Sequence, residues 1–236
     1  MIRFIRTLLY DFVDLLFPTL CFGCTNSLGA NEKILCTRCR ISLPETNQHK
    51  EPYDLNLLNK FAGKVPVHFL ASYLFFSKGG IVQKLIHGIK YKGQKEVAKE
   101  VARWYGYQLQ SETTLINDID VIIGVPLHKS RFQQRGYNQA DCIAEGLSEA
   151  LNIPMRTDVL LRNHFKESQT RKNRLERWQN VNTVFSIQNE REIENKHVAI
   201  VDDVLTTGAT LEACAIELLR AGCKSVSVLT LAAAHR

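Results

Sequence analysis

The sequence predicts an α/β fold, in which a parallel sheet is flanked by helices and a small four-cysteine ribbon precedes the sheet. Two apolar runs, residues 120–125 and 197–201, are typical of buried parallel strands. Each is followed by a polar loop and then by a segment with helical periodicity. Four cysteines form two Cys-x-x-Cys pairs near the amino end. Strands that alternate with helices indicate a parallel sheet, and the paired cysteines indicate a metal-bound ribbon.

The bulk properties are those of a globular protein. The 236 residues allow one large domain, or one domain with an appendage, and 45% of them are hydrophobic. The net charge of +6 and the pI of about 8.9 favour polyanionic partners without identifying one. No uninterrupted apolar run reaches the roughly eighteen residues of a membrane span, so no transmembrane helix is predicted.

The first element is an amphipathic helix over residues 2–17. Asp11 and Asp14 interrupt its apolar residues and no small-residue cleavage site follows, so a signal peptide is the weaker interpretation. The helix is expected to pack on its own domain, with a partner or a membrane surface as the alternatives. We therefore predict a cytoplasmic protein, with the inner face of the membrane as an alternative position.

The cysteine ribbon follows. Cys21, Cys24, Cys36 and Cys39 form two pairs separated by eleven residues. Four thiolates in two pairs suit tetrahedral zinc, and because they leave no open position the predicted role of zinc is structural. Disulfides are the alternative, which a reducing cytoplasm disfavours. Prolines in the polar stretch that follows place a linker at residues 46–66, between a ribbon at 1–45 and a main domain at 67–236.

The main domain begins with a strand over residues 69–76, followed by helices over 81–91 and 97–109. The strand at 120–125 precedes a helix over 140–151, and further strands are expected at 183–187 and 224–232. Basic residues lie along the first two helices and favour a solvated helix surface over a nucleic-acid patch. They are Lys84, Lys90, Lys92, Lys95, Lys99 and Arg103.

The residues after the strand at 197–201 carry the most specific signal. Asp202 and Asp203 come first, and a threonine-rich turn then leads into a helix. The turn consists of Thr206, Thr207, Gly208, Ala209 and Thr210. The amino end of a helix exposes N–H groups and suits a phosphate, whereas adjacent carboxylates suit vicinal hydroxyls or magnesium. Together they indicate a ribose 5-phosphate, against the alternative of an ordinary capped turn.

This stretch resembles the PRPP-binding motif of the type I phosphoribosyltransferases, PRPP being 5-phosphoribosyl-1-pyrophosphate. The resemblance implies the type I phosphoribosyltransferase fold for residues 67–236. It implies that Asp202 and Asp203, as the catalytic residues, hold the ribose 2′ and 3′ hydroxyls. It further implies that residues 206–210 hold the 5′-phosphate and that magnesium accompanies PRPP.

The loop after the strand at 120–125 is polar and cationic, and it leaves the strand end at which open α/β sheets bind ligands. The same resemblance assigns pyrophosphate to this loop. The implied loop residues are Val125, Pro126, Leu127, His128 and Lys129, with Arg131 and Arg135 as cationic partners. Fixed cations and magnesium would stabilise the charge of pyrophosphate as it leaves.

A wider resemblance covers nearly the whole chain. The residues 125–139, Val-Pro-Leu-His followed by two spaced arginines and Gly-Tyr-Asn-Gln, resemble the signature of the ComF family. So do residues 14–18, the four-cysteine ribbon and the segment from Gln169 to Arg177. This family comprises competence proteins with a zinc ribbon fused to a phosphoribosyltransferase-like domain. The resemblance implies an association with uptake of transforming DNA, and with its machinery, but no particular acceptor.

A further basic cluster lies over residues 162–178 and ends at Trp178. It contains Arg162, Lys166, Arg171, Lys172, Arg174 and Arg177. One interpretation is a cationic flap that excludes water above PRPP. The other is a strip for single-stranded DNA, because cations contact phosphates and an aromatic ring stacks on bases. A solvated loop is a third alternative of similar weight.

Two functional hypotheses follow. In the 6-oxopurine phosphoribosyltransferases an aspartate occupies the position of Thr206 and acts on the base; threonine cannot accept a proton near neutral pH, so that activity is not expected. The first hypothesis is a PRPP-dependent transferase with an unknown acceptor. The second is a non-catalytic protein that handles single-stranded DNA and uses the pocket to sense nucleotides or PRPP. The fold alone does not choose between them.

Overall fold

A parallel sheet forms the centre of the computed structural model, which describes residues 17–51, 65–163 and 184–234. Its strands are β1 (Leu70–Phe76), β2 (Val121–Gly124), β3 (Met155–Arg156), β6 (His197–Leu205) and β7 (Ser225–Ala234). Their spatial order is β1–β7–β6–β2–β3, and every neighbouring pair is parallel. Two shorter strands, β4 (Leu160–Arg162) and β5 (Phe185–Ile187), form a separate antiparallel pair. The predicted α/β fold is confirmed.

Six α-helices accompany the strands within the described residues. They are α1 (Thr37–Ile41), α2 (Ile81–Tyr91), α3 (Lys95–Glu112), α4 (Lys129–Arg135), α5 (Gln139–Leu151) and α6 (Ala209–Arg220). Short 3₁₀ turns lie at Gln48–Lys50 and Glu190–Glu192. No helix in the described ranges is long and apolar enough to cross a membrane.

The two faces of the sheet bury separate hydrophobic clusters. Side chains alternate across a strand, so Ala199 and Val201 of β6 face one side while Val198 and Ile200 face the other. The first side packs against α2, α3, α5 and the cysteine ribbon. The second packs against α6 and the β4–β5 pair. Both faces of the central strands are covered, which accounts for their nearly continuous apolar sequences.

Close packing of α3 against α5 depends on glycines. A Cβ added at Gly146 of α5 would collide with the Lys99 carbonyl oxygen of α3 and lie 2.9 Å from the Ala102 Cβ. Ion pairs join the exposed edges of the same helices, from Lys99 to Glu145 and Glu149 and from Arg103 to Glu149. Lys99 and Arg103, which were predicted to lie on a solvated helix surface, therefore form ion pairs within the protein.

The ribbon and the start of the predicted linker lie against the main sheet. Cys21 and Leu35 belong to the same buried cluster as β1 and α2. Residues 44–46 pair with the free edge of β1: the Phe75 N–H donates to the Pro44 carbonyl over 2.8 Å, and the Thr46 N–H donates to the Tyr73 carbonyl over 2.9 Å. The cysteine ribbon thus shares one core with the sheet.

Several elements differ from the prediction in their bounds or were not predicted. β6 continues to Leu205, because it stays paired with β7 as far as Leu205 and Ala233. The loop predicted over residues 125–139 contains the short helix α4, which His128 caps and which ends at Gly136 with φ +76°. β3 and β4 were not predicted; β3 adds two residues beside β2, and β4 pairs with β5. A two-residue strand has no periodicity from which to predict it.

Candidate active site

The two adjacent carboxylates lie inside β6, near its carboxyl end, and not after the strand. Asp202 pairs in register with Thr230 of β7, and the Asp203 N–H donates to Asp202 Oδ1 over 2.8 Å. The neighbouring strand in the sheet, β2, ends beside them, since the Val125 N–H donates to the Val201 carbonyl over 2.8 Å. The carboxyl ends of β2 and β6 therefore form one edge, the edge at which open α/β sheets bind ligands.

Asp203 is buried and forms an ion pair with Lys90 of α2. Lys90 Nζ lies 2.9 Å from Asp203 Oδ1, and the Asp203 side chain is 7% exposed. Its second oxygen, Oδ2, is buried and has no hydrogen-bond partner within the described residues. A buried carboxylate is tolerated when it is paired and hydrogen-bonded, so this oxygen can accept a further donor.

Lys90 was not among the predicted site residues. The sequence analysis placed it with the basic residues of a solvated helix surface. A usable signal was present, because Lys90 follows the buried Ile86 by one helical turn and so shares its face of α2. The acidic partner on β6 could not be identified from the sequence alone.

Asp202 has a different environment. Burial, reinforced by the neighbouring Asp203 carboxylate, raises the pKa of Asp202 to about 7, while Lys90 and Arg162 act in the opposite direction. Arg162, at the end of β4, is thus a second cation near the carboxylates; the sequence analysis placed it in the basic cluster of residues 162–178. The two neighbouring acids are held by different surroundings, Asp203 beside Lys90 and Asp202 within the electrostatic reach of Arg162.

The threonine-rich turn leads directly from β6 into α6. Gly208 has φ +81°, a conformation that favours glycine, and it stands at the N-cap position of the helix. The Ala209 N–H donates to Thr207 Oγ1 over 3.4 Å. Residues 206–211 line a concavity together with Asp202 and Val204. Thr206, Thr207, Ala209 and Thr210 are all exposed, so the turn is open to solvent and is not plugged by packed side chains.

The predicted pyrophosphate loop occupies the neighbouring position. Asn138 is buried and its Nδ2 donates to the Val125 carbonyl over 3.0 Å, which fixes the start of the loop against α5. A Cβ added at Gly124 would lie 2.9 Å from backbone atoms of Ala140 and Asp141, so the strand end needs glycine there. Burial raises the pKa of Asp141 to about 6.

The cations predicted to assist this loop lie on α4. Lys129 and Arg131 are exposed. The Arg135 guanidinium lies 5.4 Å from the centre of the Tyr91 ring, a cation–π distance. Its Nε and Nη1 are buried and have no hydrogen-bond partner among the described residues. Arg135 can therefore donate to an anion without first breaking an internal hydrogen bond.

The four cysteines of the ribbon form a cluster suited to a metal ion. Their sulfur atoms all lie within 4.8 Å of one another, and Cys24 Sγ is 3.7 Å from Cys36 Sγ. A tetrahedron with Zn–S bonds of about 2.3 Å has sulfur–sulfur edges of roughly 3.8 Å, so the spacing fits. Cys21 Sγ accepts the N–H of Cys36 over 3.2 Å and that of Gly23 over 3.4 Å. The described cysteines form no disulfide.

Comparison with known proteins now defines the family. A family model described as a phosphoribosyl transferase domain matches residues 135–236. Competence protein F of Haemophilus influenzae is 33% identical over 153 residues, which are 64% of this chain and 67% of that protein. DNA utilization protein YhgH of Escherichia coli K12 is 28% identical over 227 residues, or 90% of this chain and 89% of that protein.

The chain belongs to the ComF family. Its main domain has the type I phosphoribosyltransferase fold, a parallel sheet flanked by helices. Among solved structures, glutamine phosphoribosylpyrophosphate amidotransferase from B. subtilis is 23% identical with a TM-score of 0.44; the similarity covers 61% of this chain and 30% of that one.

In this ComF protein some predicted features fall outside the described residues. These are the amphipathic amino-terminal helix and all of the basic cluster except Arg162, namely Lys166, Arg171, Lys172, Arg174 and Arg177. The flap and the DNA strip therefore both stay predictions. The remaining cysteines, Cys142, Cys214 and Cys223, lie within or against the hydrophobic clusters, in agreement with the expected role as core residues.

Proposed function

We propose that this ComF protein binds PRPP, with magnesium, at the carboxyl end of β6 and transfers its phosphoribosyl group to an acceptor. The observation that carries the proposal is the shared concavity, in which Asp202 lies beside the open turn of residues 206–211. A helix of 12 residues begins at this turn, so backbone N–H groups and a partial positive charge are available to a 5′-phosphate.

The neighbouring groups suit the rest of the same ligand. Asp202 and Asp203 Oδ2, which has no hydrogen-bond partner in the described part of the chain, would accept hydrogen bonds from the ribose hydroxyls. The residues 125–129, with Arg131 and Arg135, would bind pyrophosphate and stabilise its charge as the bond to carbon 1 breaks. Positive charge that develops on the ribose ring would be stabilised by the adjacent carboxylates. Magnesium, when bound with PRPP, would neutralise part of the phosphate charge.

We further propose that the four-cysteine cluster holds a structural zinc ion. Cys21, Cys24, Cys36 and Cys39 would be its ligands, and the N–H groups that donate to Cys21 Sγ would stabilise a thiolate there. All four positions of the tetrahedron would be occupied by thiolates, so this site would not take part in the transfer reaction.

The names of the relatives support a role in DNA handling. Competence protein F and DNA utilization protein are both named for processes that involve DNA. We therefore propose that the phosphoribosyl transfer serves natural transformation or the use of DNA, in the cytoplasm or at the inner face of the membrane.

Isothermal titration with PRPP and magnesium tests the pocket. The Asp202→Ala/Asp203→Ala protein should bind PRPP at least about tenfold more weakly, because two hydrogen-bond acceptors for the sugar hydroxyls are lost. Asp118→Ala is the matched control, because this exposed acid precedes β2 at the opposite edge of the sheet. The Asp118→Ala protein should bind PRPP with the affinity of the wild type. Unchanged PRPP binding in the doubly substituted protein would overturn the assignment.

A further inference from the structure

A cavity, here named the ribbon cavity, lies between the cysteine ribbon and α2. It has a volume of about 370 Å³, within the range of small-molecule sites. The ribbon contributes Phe22 and Thr25, and the side chains from α2 and the residue after it include Gln83, Lys84, His87 and Lys92. Among the described residues it shares no lining residue with the concavity of residues 206–211. The ribbon cavity is therefore separate from the proposed PRPP site.

The charges of the ribbon cavity are positive. Lys84 and Lys92 supply ammonium groups, and no carboxylate lines the cavity in the described part of the chain. Lys84 Nζ donates to the Gly23 carbonyl over 2.6 Å, and this neutral partner does not cancel the charge. An ammonium group has three N–H donors, so Lys84 is held in place with two donors available to a ligand. The cavity thus favours an anion.

The two lysines lie on one side of α2 with a glycine between them. Lys84, Gly88 and Lys92 are four residues apart, which places them in one row along the helix. At a rise of about 1.5 Å per residue, the backbones of the two lysines are about 12 Å apart. Gly88 has no side chain to fill the space between them, and a Cβ added there would lie 2.9 Å from Phe22 Cε1. This spacing suits an extended ligand with several anionic groups better than a single small anion.

Uncharged donors complete the lining of the ribbon cavity. Gln83 Oε1 accepts the Gly79 N–H over 2.6 Å, and this bond leaves the amide N–H groups of Gln83 to donate elsewhere. The His87 ring is exposed and offers an imidazole N–H. Phosphate oxygens accept hydrogen bonds from ammonium, amide and imidazole groups alike, and most strongly from cations. The donors of this cavity therefore match a phosphate chain.

From these observations we propose that the ribbon cavity binds a small molecule with a chain of two or more phosphates, whose ends pair with Lys84 and Lys92. Such a chain is extended, carries negative charge along its length and offers acceptors to every donor of the lining. It occurs in inorganic oligophosphates and in nucleoside triphosphates, and the chemistry that the lysines recognise is the same in both. This inference is independent of the proposed function, because it does not require PRPP.

Isothermal titration of the full-length protein tests the site, with tripolyphosphate and ATP as the two probes. At least one of them should bind, and AMP, which has a single phosphate, should bind at least about tenfold more weakly than that probe. Equal affinities for tripolyphosphate and ATP would show that the chain alone is recognised, whereas tighter binding of ATP would show that the nucleoside contributes as well. Metal content is measured before and after each titration, so that chelation is not mistaken for binding.

Lysine variants locate the bound probe. Lys84→Met/Lys92→Met should weaken its binding at least about tenfold, because two charge-assisted contacts are lost. Lys92→Met alone keeps the contact between Lys84 and Gly23 and should weaken binding at least about threefold. Lys33→Met/Lys224→Met is the matched control: it removes two exposed lysines that do not line the cavity and changes the net charge equally. The control protein should bind the probe as the wild type does.

Several results would overturn this proposal. They are the failure of both probes to bind, unchanged affinity in Lys84→Met/Lys92→Met, an equal loss in the control protein, or AMP binding as tight as that of the probe. Binding of a short single-stranded oligonucleotide but of neither probe would assign the lysines to nucleic acid and would also overturn it. In all these cases PRPP binding at Asp202 and Asp203 is unaffected. If PRPP does not bind while the probe does, the proposed function fails and the ribbon cavity site stands.

Discussion

At the scale of single residues, the two adjacent carboxylates of β6 are held in different ways. Asp203 is buried beside Lys90, and Asp202 lines the concavity of the threonine-rich turn. Adjacent residues of a strand point to opposite faces, so each acid meets a different set of neighbours. This division allows one acid to be fixed by an ion pair while the other stays at the surface of the proposed ligand site.

The ion pair between Lys90 and Asp203 should contribute to stability mainly through its burial. Lys90→Met leaves a buried carboxylate without its cation, and we expect a loss of about 1–3 kcal/mol in the free energy of unfolding. The double variant Lys90→Met/Asp203→Asn removes both charges and should recover most of the lost free energy of unfolding. Urea denaturation of the single and double variants measures the coupling. Lys99→Met is the control, because its acid partners Glu145 and Glu149 are exposed whereas Asp203 is buried. An equal loss there would show that burial of the acid is unimportant.

The raised pKa of Asp202 predicts a specific dependence of stability on pH. The folded protein holds the proton up to about pH 7, whereas the unfolded chain releases it near the ordinary value of 3.8. Between these values the folded state binds more protons, so stability falls as the pH rises, and the penalty is complete above about pH 7. Asp202→Asn should therefore be more stable than the wild type by about 1–2 kcal/mol at pH 8 and similar to it at pH 4.

Urea denaturation at several pH values checks this expectation. Asp118→Asn changes an exposed acid at the other edge of the sheet and should give no comparable gain at pH 8. A stability difference between Asp202→Asn and the wild type that is the same at pH 4 and pH 8 would contradict the assignment of the proton to Asp202.

At the scale of elements, the position of α5 depends on close contacts at glycines. Gly146 faces α3, Gly106 of α3 faces Ala150, and Gly124 of β2 faces the first turn of α5. The Tyr137 hydroxyl, just before α5, also donates to the Ile89 carbonyl of α2. Through these contacts α5 fixes the loop after β2, which holds the residues proposed to bind pyrophosphate.

Gly146→Ala should separate α3 from α5. The added Cβ collides with the backbone of Lys99, which cannot rotate away as a side chain can, and we expect a loss of about 2–4 kcal/mol. Thermal denaturation gives the change in stability. Gly29→Ala is the matched control, because the nearest atom to its added Cβ is 3.5 Å away. A Gly146→Ala protein as stable as the Gly29→Ala protein would disprove the close contact.

At the scale of the whole molecule, the cysteine ribbon and the sheet share a hydrophobic core. Cys21, Ile34, Leu35 and Leu43 belong to the same cluster as β1, α2 and α3. Lys84 of α2 also donates to the Gly23 carbonyl over 2.6 Å. Loss of order in the ribbon would expose part of this core, so a metal in the ribbon would stabilise the sheet as well.

Metal analysis of the purified protein should find about one zinc per chain. Removal of the metal by a chelator should lower the melting temperature of the entire protein, because the ribbon contributes to the common core. Cys36→Ser should lose zinc and have a lower melting temperature. Cys142 lies outside the four-cysteine cluster, so Cys142→Ser should retain zinc. A full-length protein without zinc, or one whose melting temperature is unaffected by the chelator, would disprove the structural metal.

Local patterns in the sequence were sufficient for most elements. The helix at 81–91 was predicted with its observed bounds, because its apolar residues repeat with helical spacing and Gly79 and Gly80 precede it. The turn of residues 206–210 was predicted from its threonines and glycine, which lie between an apolar strand and a helix. This arrangement is typical of a phosphate-binding turn. Both signals lie within a dozen or so consecutive residues.

Partnerships between distant segments were decided only by the tertiary structure. The sequence predicted that Lys90, Lys99 and Arg103 all lie on a solvated helix surface. In the structure Lys90 pairs with Asp203, whereas Lys99 and Arg103 pair with acids of α5. A cavity lined by Tyr91 and other residues of α2 likewise forms only because the ends of β1, β6 and β7 lie in the same place. Periodicity predicts which side of a helix or strand is buried. Which distant residue a side chain contacts depends on how the elements pack, and a local sequence pattern does not contain that information.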